Sequence, residues 1–196
     1  MQLISIVSCR SQPNTDQTMQ NSNLINRKPT VAGQFYPGRT DELNAQLIKL
    51  FADAVPKKSG HDVLAIISPH AGYVFSGPVA ASSFNQLDAR KKYQTVFIIG
   101  SSHRTMFDGA SIYNKGHYET PLGVVEVDLE TANLLINKND VFRYKSDAHA
   151  YEHSLEVQLP FLQHILETEY KIVPVVIATQ NRNTVKKIAE ALKSYF

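Results

Sequence analysis

The sequence holds a single cysteine, Cys9, among its 196 residues. One thiol cannot close an internal disulfide or build a multi-cysteine metal site, so neither supports this fold. No apolar run approaches the roughly 20 residues needed to cross a bilayer. No internal repeat of 20 to 50 residues is visible, which argues against a solenoid or propeller. An excess of charge is also missing. Twenty basic and 18 acidic residues leave a formal charge of +2, and the basic residues are scattered, so no nucleic-acid partner is expected. What is present is 43% hydrophobic residues, enough for one domain with a substantial core.

Residues 1–26 stand apart from the rest. A short apolar run gives way to a polar stretch rich in Asn, Gln and Ser, and residues 13–23 bury too little surface to fold, so disorder is expected there. The run Ile6-Val7-Ser8-Cys9 resembles a bacterial lipobox, in which the cysteine is lipidated and the polar stretch becomes a tether. No basic residue precedes the apolar run, which favours the alternative of a frayed cytosolic terminus. Localisation is therefore read as cytoplasmic, or as membrane-anchored through Cys9.

The folded domain is expected over residues 27–196. Thr40 reads as a helix N-cap followed by Asp41 and Glu42 in the first turn, with Leu43, Leu47, Leu50 and Phe51 on one face. The stretch "DVLAIISPH" reads as a buried strand, and "SGPVAASSFNQLD" as a helix with Pro78 near its first turn. A second strand, "YQTVFIIGSSH", repeats the same grammar of an apolar run ending in a histidine. "GASIY" and "GVVEVD" read as strands, "LETANLLINKN" as a helix, and "HSLEVQLPFLQHILETE" as a helix that Pro160 kinks or splits. "YKIVPVVIA" is a buried strand, and "NTVKKIAEALKSYF" a helix with Val185, Ile188 and Leu192 on one face. Strands apolar throughout, alternating with helices, predict an α/β domain whose sheet is covered on both faces.

The two strand-end histidines, His70 and His103, are the first candidate metal ligands. In a parallel sheet the strand C-termini share one edge, where ligands bind. Two imidazoles converging there suit iron, copper or zinc, although such a site normally takes three protein ligands. Pro69 stiffens the approach to His70, and Gly72 and Gly100 permit tight turns. A second cluster lies in "DAHAYEHSLEVQLPF", with Asp147, His149, Glu152, His153 and Glu156. At helical spacing His149 and His153 share one face, and Glu152 and Glu156 another. Glu152 or His153 would then serve as an orienter or acid/base at the crevice. The alternative is a charged helix entrance with Leu155 and Leu159 packing inward.

Taken in order, "AGQFYPG" (32–38), "ISPHAGYVFSGPVAA" (67–81), "IIGSSHR" (98–104), "YETPLGVVEVD" (118–128), "DAHAYEHSLEVQLPFLQ" (147–163) and "IVPVVI" (172–177) resemble the Memo family, also called AmmeMemoRadiSam system protein B. The family's fold is similar to that of the class III extradiol dioxygenases, which implies an αβα sandwich with a central mixed sheet. The resemblance implies a metal site with His70 and His103 as ligands, and gives Glu152 and His153 a catalytic or site-lining role. It implies Fe(II) or Cu, with Zn as a further candidate, and a dioxygenase-like or redox activity on an aromatic or related small molecule. It equally implies a binding or adaptor module for a peptide or small ligand, with Tyr73, Phe75 and Tyr118 as aromatic walls. A third implication is an accessory role beside a radical S-adenosylmethionine protein and a small companion protein. Members of the family continue into a further strand ending in an S-S-D-x-S/C-H type motif, which this sequence lacks, so a C-terminally truncated domain is expected. The third ligand is left open, since nothing in the sequence supports His117, His149 or His164 as a substitute.

Overall fold

The computed structural model describes residues 24–58 and 63–196. The leader reading, Cys9 included, falls outside the described residues except for 24–26. Among the described residues no helix is long and apolar enough to cross a membrane.

A four-stranded mixed sheet organises the chain. Its strands are β1 (Thr95–Ser101), β2 (Ala110–Ile112), β5 (Phe142–Arg143) and β6 (Lys171–Ile177), in the spatial order β1-β6-β2-β5. β1 runs parallel to β6, in register from Thr95 opposite Lys171 to Ser101 opposite Ile177, while β2 runs antiparallel to β6. A separate hairpin joins β3 (Tyr118–Thr120) to β4 (Gly123–Val125). Pro174 sits inside central strand β6, where a proline normally breaks the ladder. It is tolerated because that edge of β6 changes partner there, from residues 126–128 to β2.

Alternation along β6 decides the layers. Ile172 and Val176 enter one apolar cluster, whereas Val173 and Val175 enter a second. The first cluster is closed by α1 (Thr40–Ala52), α2 (Tyr73–Phe84) and α5 (Leu159–Ile165). The second is closed by α3 (Leu129–Lys138) and α6 (Arg182–Leu192). A short helix, α4 (Ser146–Ala150), leads into the turn before α5. The result is the expected α/β sandwich with a mixed central sheet.

Local expectations fared unevenly. Leu43 and Leu47 are buried on α1 as the spacing required. Thr40, however, is the first helical residue rather than the cap, and its hydroxyl donates to Pro121 O. Pro160 splits its segment, standing in the first turn of α5 after a 3-10 turn, Glu156–Gln158. α2 begins earlier than read, at Tyr73, which leaves Pro78 inside it. The largest departure concerns "DVLAIISPH". Residues 63–70 form no strand, and Leu64 and Ile67 stay 77% and 97% exposed. A strand exists only where a neighbour pairs its amides, and none of the described residues pairs with this run.

The start of the domain is fixed to the segment around Glu156 by a buried ion pair. Arg27 Nη1 lies 2.7 Å from Glu156 Oε2, with both side chains shielded from water. Glu156 also accepts from the Thr30 and Val31 amides and the Tyr36 hydroxyl. Burial opposes its ionisation, but the guanidinium and these donors hold its carboxyl below the ordinary range. Arg27 further donates to the carbonyls of His149 and Glu152. Arg27→Ala would leave a buried carboxylate uncompensated, and a loss of about 3–5 kcal/mol is expected in urea unfolding. A loss below about 1 kcal/mol would contradict this account of the pair.

Candidate metal centre

Three histidines from three separate segments meet at one end of β1. His70 lies in the irregular stretch just before α2, His103 follows β1, and His153 lies in the turn between α4 and the 3-10 segment. One ring nitrogen from each falls within 4.8 Å of the others. The ring centroids are 5.1 Å apart for His70–His103, 4.5 Å for His103–His153 and 5.8 Å for His70–His153. Imidazole nitrogens bound ~2.0–2.1 Å from one tetrahedral ion lie ~3.3 Å apart. Small side-chain rotations would therefore close this set on a metal. Among the described residues it is the grouping of His, Cys, Asp and Glu whose donor atoms come close enough together.

Glu152 sets the polarity of the cluster from beneath. It is 2% exposed. One oxygen accepts from the His103 amide at 2.6 Å, and the other lies 2.9 Å from His103 Nδ1 and 3.0 Å from the Ser154 amide. Burial pushes its carboxyl upward, yet these hydrogen bonds outweigh that and hold it below the ordinary value, so it is ionised at neutral pH. An ionised acceptor on Nδ1 makes that nitrogen the protonated one and leaves Nε2 of His103 with a lone pair for a metal. His153 Nδ1 is 3.7 Å from the same carboxylate. Burial is the main cause of its lowered pKa, which the nearby carboxylate only partly counters, so its ring is neutral and competent as a donor. Its ring also packs against Phe35 at 4.9 Å.

The backbone makes room for this convergence. A Cβ on Gly100 would stand 2.6 Å from Ser154 Oγ and 2.8 Å from Leu155 Cδ2. The glycine therefore serves close approach of the 153–155 turn rather than a left-handed turn. Arg104 at the rim donates through Nε to Tyr151 O, which braces the same turn from outside.

His70 and His103 are thus brought together, and Glu152 and His153 lie beside them. The helical-face reading of the second cluster fails, because residues 151–155 are not helical. His149 instead points into the core, with Tyr118 Oη 3.1 Å from Nδ1 and Ser111 Oγ 3.0 Å from Nε2. Glu156 turns to Arg27. Tyr73 and Tyr118 are buried, with the Tyr73 hydroxyl donating to Val157 O, so they are core residues and not aromatic walls; Phe75 is 85% exposed. His117 accepts from the Val127 amide and His164 stacks on Phe51, so neither joins the cluster. The third donor position falls to His153. Its adjacency in sequence to Glu152 is the signal for this position, and the helix-like spacing of the segment masks it.

Three comparisons in sequence agree with one another. Residues 27–196 match the family described as Memo-like protein. The chain is 39% identical over 175 residues to a MEMO1 family protein of Sulfurisphaera tokodaii, covering 85% of this chain and 62% of that protein. It is 40% identical over 177 residues to a MEMO1 family protein of Saccharolobus solfataricus, covering 86% and 62% respectively. The chain therefore spans about 62% of the length of the curated relatives it matches.

Burial of His149 gives a pH test. Desolvation, aided by the Arg27 charge, lowers its pKa from 6.5 to about 3. The unfolded chain thus binds the extra proton first as pH falls. The stability due to neutral His149 is full above about pH 6.5 and is lost progressively toward pH 3. Between pH 7 and 5 this one group should remove about 2 kcal/mol. His149→Gln should lose correspondingly less over that interval in urea unfolding; an identical loss would contradict the assignment.

Proposed function

The chain belongs to the Memo-like protein family, and on that premise we propose that His70, His103 and His153 hold one transition-metal ion for a redox reaction on a small organic substrate. The observation that carries this reading is the approach of three imidazole nitrogens, from three segments, to within 4.8 Å. The donor chemistry fits: neutral nitrogen ligands suit Fe(II), Cu or Zn, and three of them leave positions open for substrate. Fe(II) or Cu is favoured over Zn because the implied activity is dioxygenase-like. When bound, such an ion would supply Lewis acidity and electron transfer at the open face.

The protein's own groups have distinct tasks. Glu152 accepts a hydrogen bond from Nδ1–H of His103 and fixes that ring's orientation, which makes it a positioning residue. His103, exposed over 38% of its side chain, faces the solvent side from which substrate arrives. Val74 and Phe75, exposed in the first turn of α2 directly after the "PHAG" segment, offer an apolar surface beside the entrance. That surface supports a second reading, a binding module for an apolar peptide or ligand without turnover.

Metal titration separates these. Wild-type protein loaded anaerobically with Fe(II), or with Cu(II) or Zn(II), should bind one ion per chain. His70→Ala combined with His103→Ala should abolish binding, and His153→Ala alone should weaken it at least about tenfold. Glu152→Gln, which keeps the shape but not the charge, should weaken it about 10–100-fold. Unchanged stoichiometry and affinity in these variants, with circular dichroism intact, would sink the site assignment. Oxygen uptake that depends on an added aromatic substrate would mark an enzyme; metal binding without uptake would mark the binding module.

A further inference from the structure

Arg27, Arg39 and Arg90 each face a carboxylate, and Arg143 gives Nη2 to two backbone carbonyls and lies over the Phe107 ring. Arg104 differs. It follows His103 directly, and its Nε donates at 3.1 Å to the carbonyl of Tyr151, two residues before His153. The guanidinium is thus tied in beside His103 and His153, the two cluster rings with the shortest separation. Burial keeps the His153 ring neutral, and the Arg104 charge adds to that effect. Among the described residues no carboxylate lies within ion-pair distance of Arg104, and its Nη groups have no hydrogen-bond partner.

This placement is held from two directions. The Ser102 amide donates to Ile177 O at the end of β6, and the Ser102 hydroxyl oxygen accepts from the amides of Arg104 and Thr105. The backbone of Arg104 is thereby fixed to the sheet, and its side chain to the 151–153 turn. A guanidinium carries five donors in one rigid plane. One is used on Tyr151. The remaining Nη pair presents parallel N–H bonds that match the two oxygens of a carboxylate. Anchorage at Nε also removes rotamer freedom that an untethered surface arginine would lose on binding.

The cluster's own charge favours an anion at this position. Imidazoles ligate as neutral groups, and the Glu152 carboxylate is engaged with His103 and Ser154. A bound divalent ion together with Arg104 leaves the open face cationic. Tyr151 and Met106, both exposed, border it with apolar surface. We propose that Arg104 is the specificity-determining residue of the cluster and that the substrate is an organic carboxylate with an apolar or aromatic body. The carboxylate seats on the Nη edge of Arg104 while another donor group of the same molecule reaches the histidines. This proposal rests on the metal reading given above.

The probes are 3- and 4-carboxybenzohydroxamate, each compared with its carboxamide isostere on protein saturated with Zn(II), which is redox-inert. The hydroxamate end chelates zinc in every probe, so each pair differs only in the charge at the far end. Dissociation constants are read by calorimetry. For at least one isomer, wild type should bind the carboxylate about tenfold or more tightly than the carboxamide. Arg104→Gln should reduce that ratio to about twofold or less, and Arg104→Lys should retain part of it. Zinc occupancy and loosening of the turn act on both members of a pair alike, so a residue that only braced the turn would leave the ratio unmoved. The wild-type ratio should also shrink as NaCl is raised from about 0.05 to about 0.5 M, a measurement that needs no variant to fold. Equal binding of both members by wild type overturns the proposal, as does a ratio that survives in Arg104→Gln or is indifferent to salt. Failure to bind zinc in the titration without probe would overturn the metal reading and this proposal with it. Zinc binding without a carboxylate preference would overturn this proposal alone.

Discussion

The ion pair between Arg27 and Glu156 is the constraint on which the site depends. Two charges withdrawn from water repel folding unless every remaining donor and acceptor is satisfied. Here the carboxylate takes the guanidinium, two amides and the Tyr36 hydroxyl. The guanidinium spends its other donors on the carbonyls of His149, Glu152 and Lys28 and on the Thr30 hydroxyl. The turn that carries Glu152 and His153 is therefore held at both ends by one cation. The geometry at His103 is inherited from that turn, because His103 is oriented by Glu152.

The sheet contributes the other half. β1 delivers His103 from a rigid strand, and α2 receives the segment that presents His70. Gly100 lets the 153–155 turn pass against β1 at a distance that any side chain would forbid. A histidine cluster formed by three loops would be loose in isolation. It is ordered here because each loop leaves a packed element and because an ionised carboxylate lies under it. A groove of about 430 Å³ beside β1 reaches this cluster, since His70 lines it.

Much of this was legible from residues alone. The continuous apolar runs of β1 and β6 announced a covered sheet, and the spacing of Leu43 and Leu47 placed the buried face of α1. The shared grammar of two apolar runs ending in His70 and His103 pointed to one site. Reading failed where a residue's state depends on a distant partner. The run at 64–67 has the composition of a strand but finds no neighbour among the described residues. His149 and His153 are four apart, yet a break in the helix sends one into the core and the other to the histidine cluster.

By itself, then, the sequence determined most of the element types, the alternation that puts helices on both faces of a sheet, and the pair His70 and His103. These follow from side-chain periodicity and strand-end position, which are local properties. Tertiary structure alone decided that His153 joins His70 and His103, that Glu152 orients His103, and that Glu156 belongs to Arg27 rather than to the site. Those assignments rest on contacts between residues 49 to 129 positions apart, and no local pattern encodes which of several nearby carboxylates and imidazoles will meet across such distances.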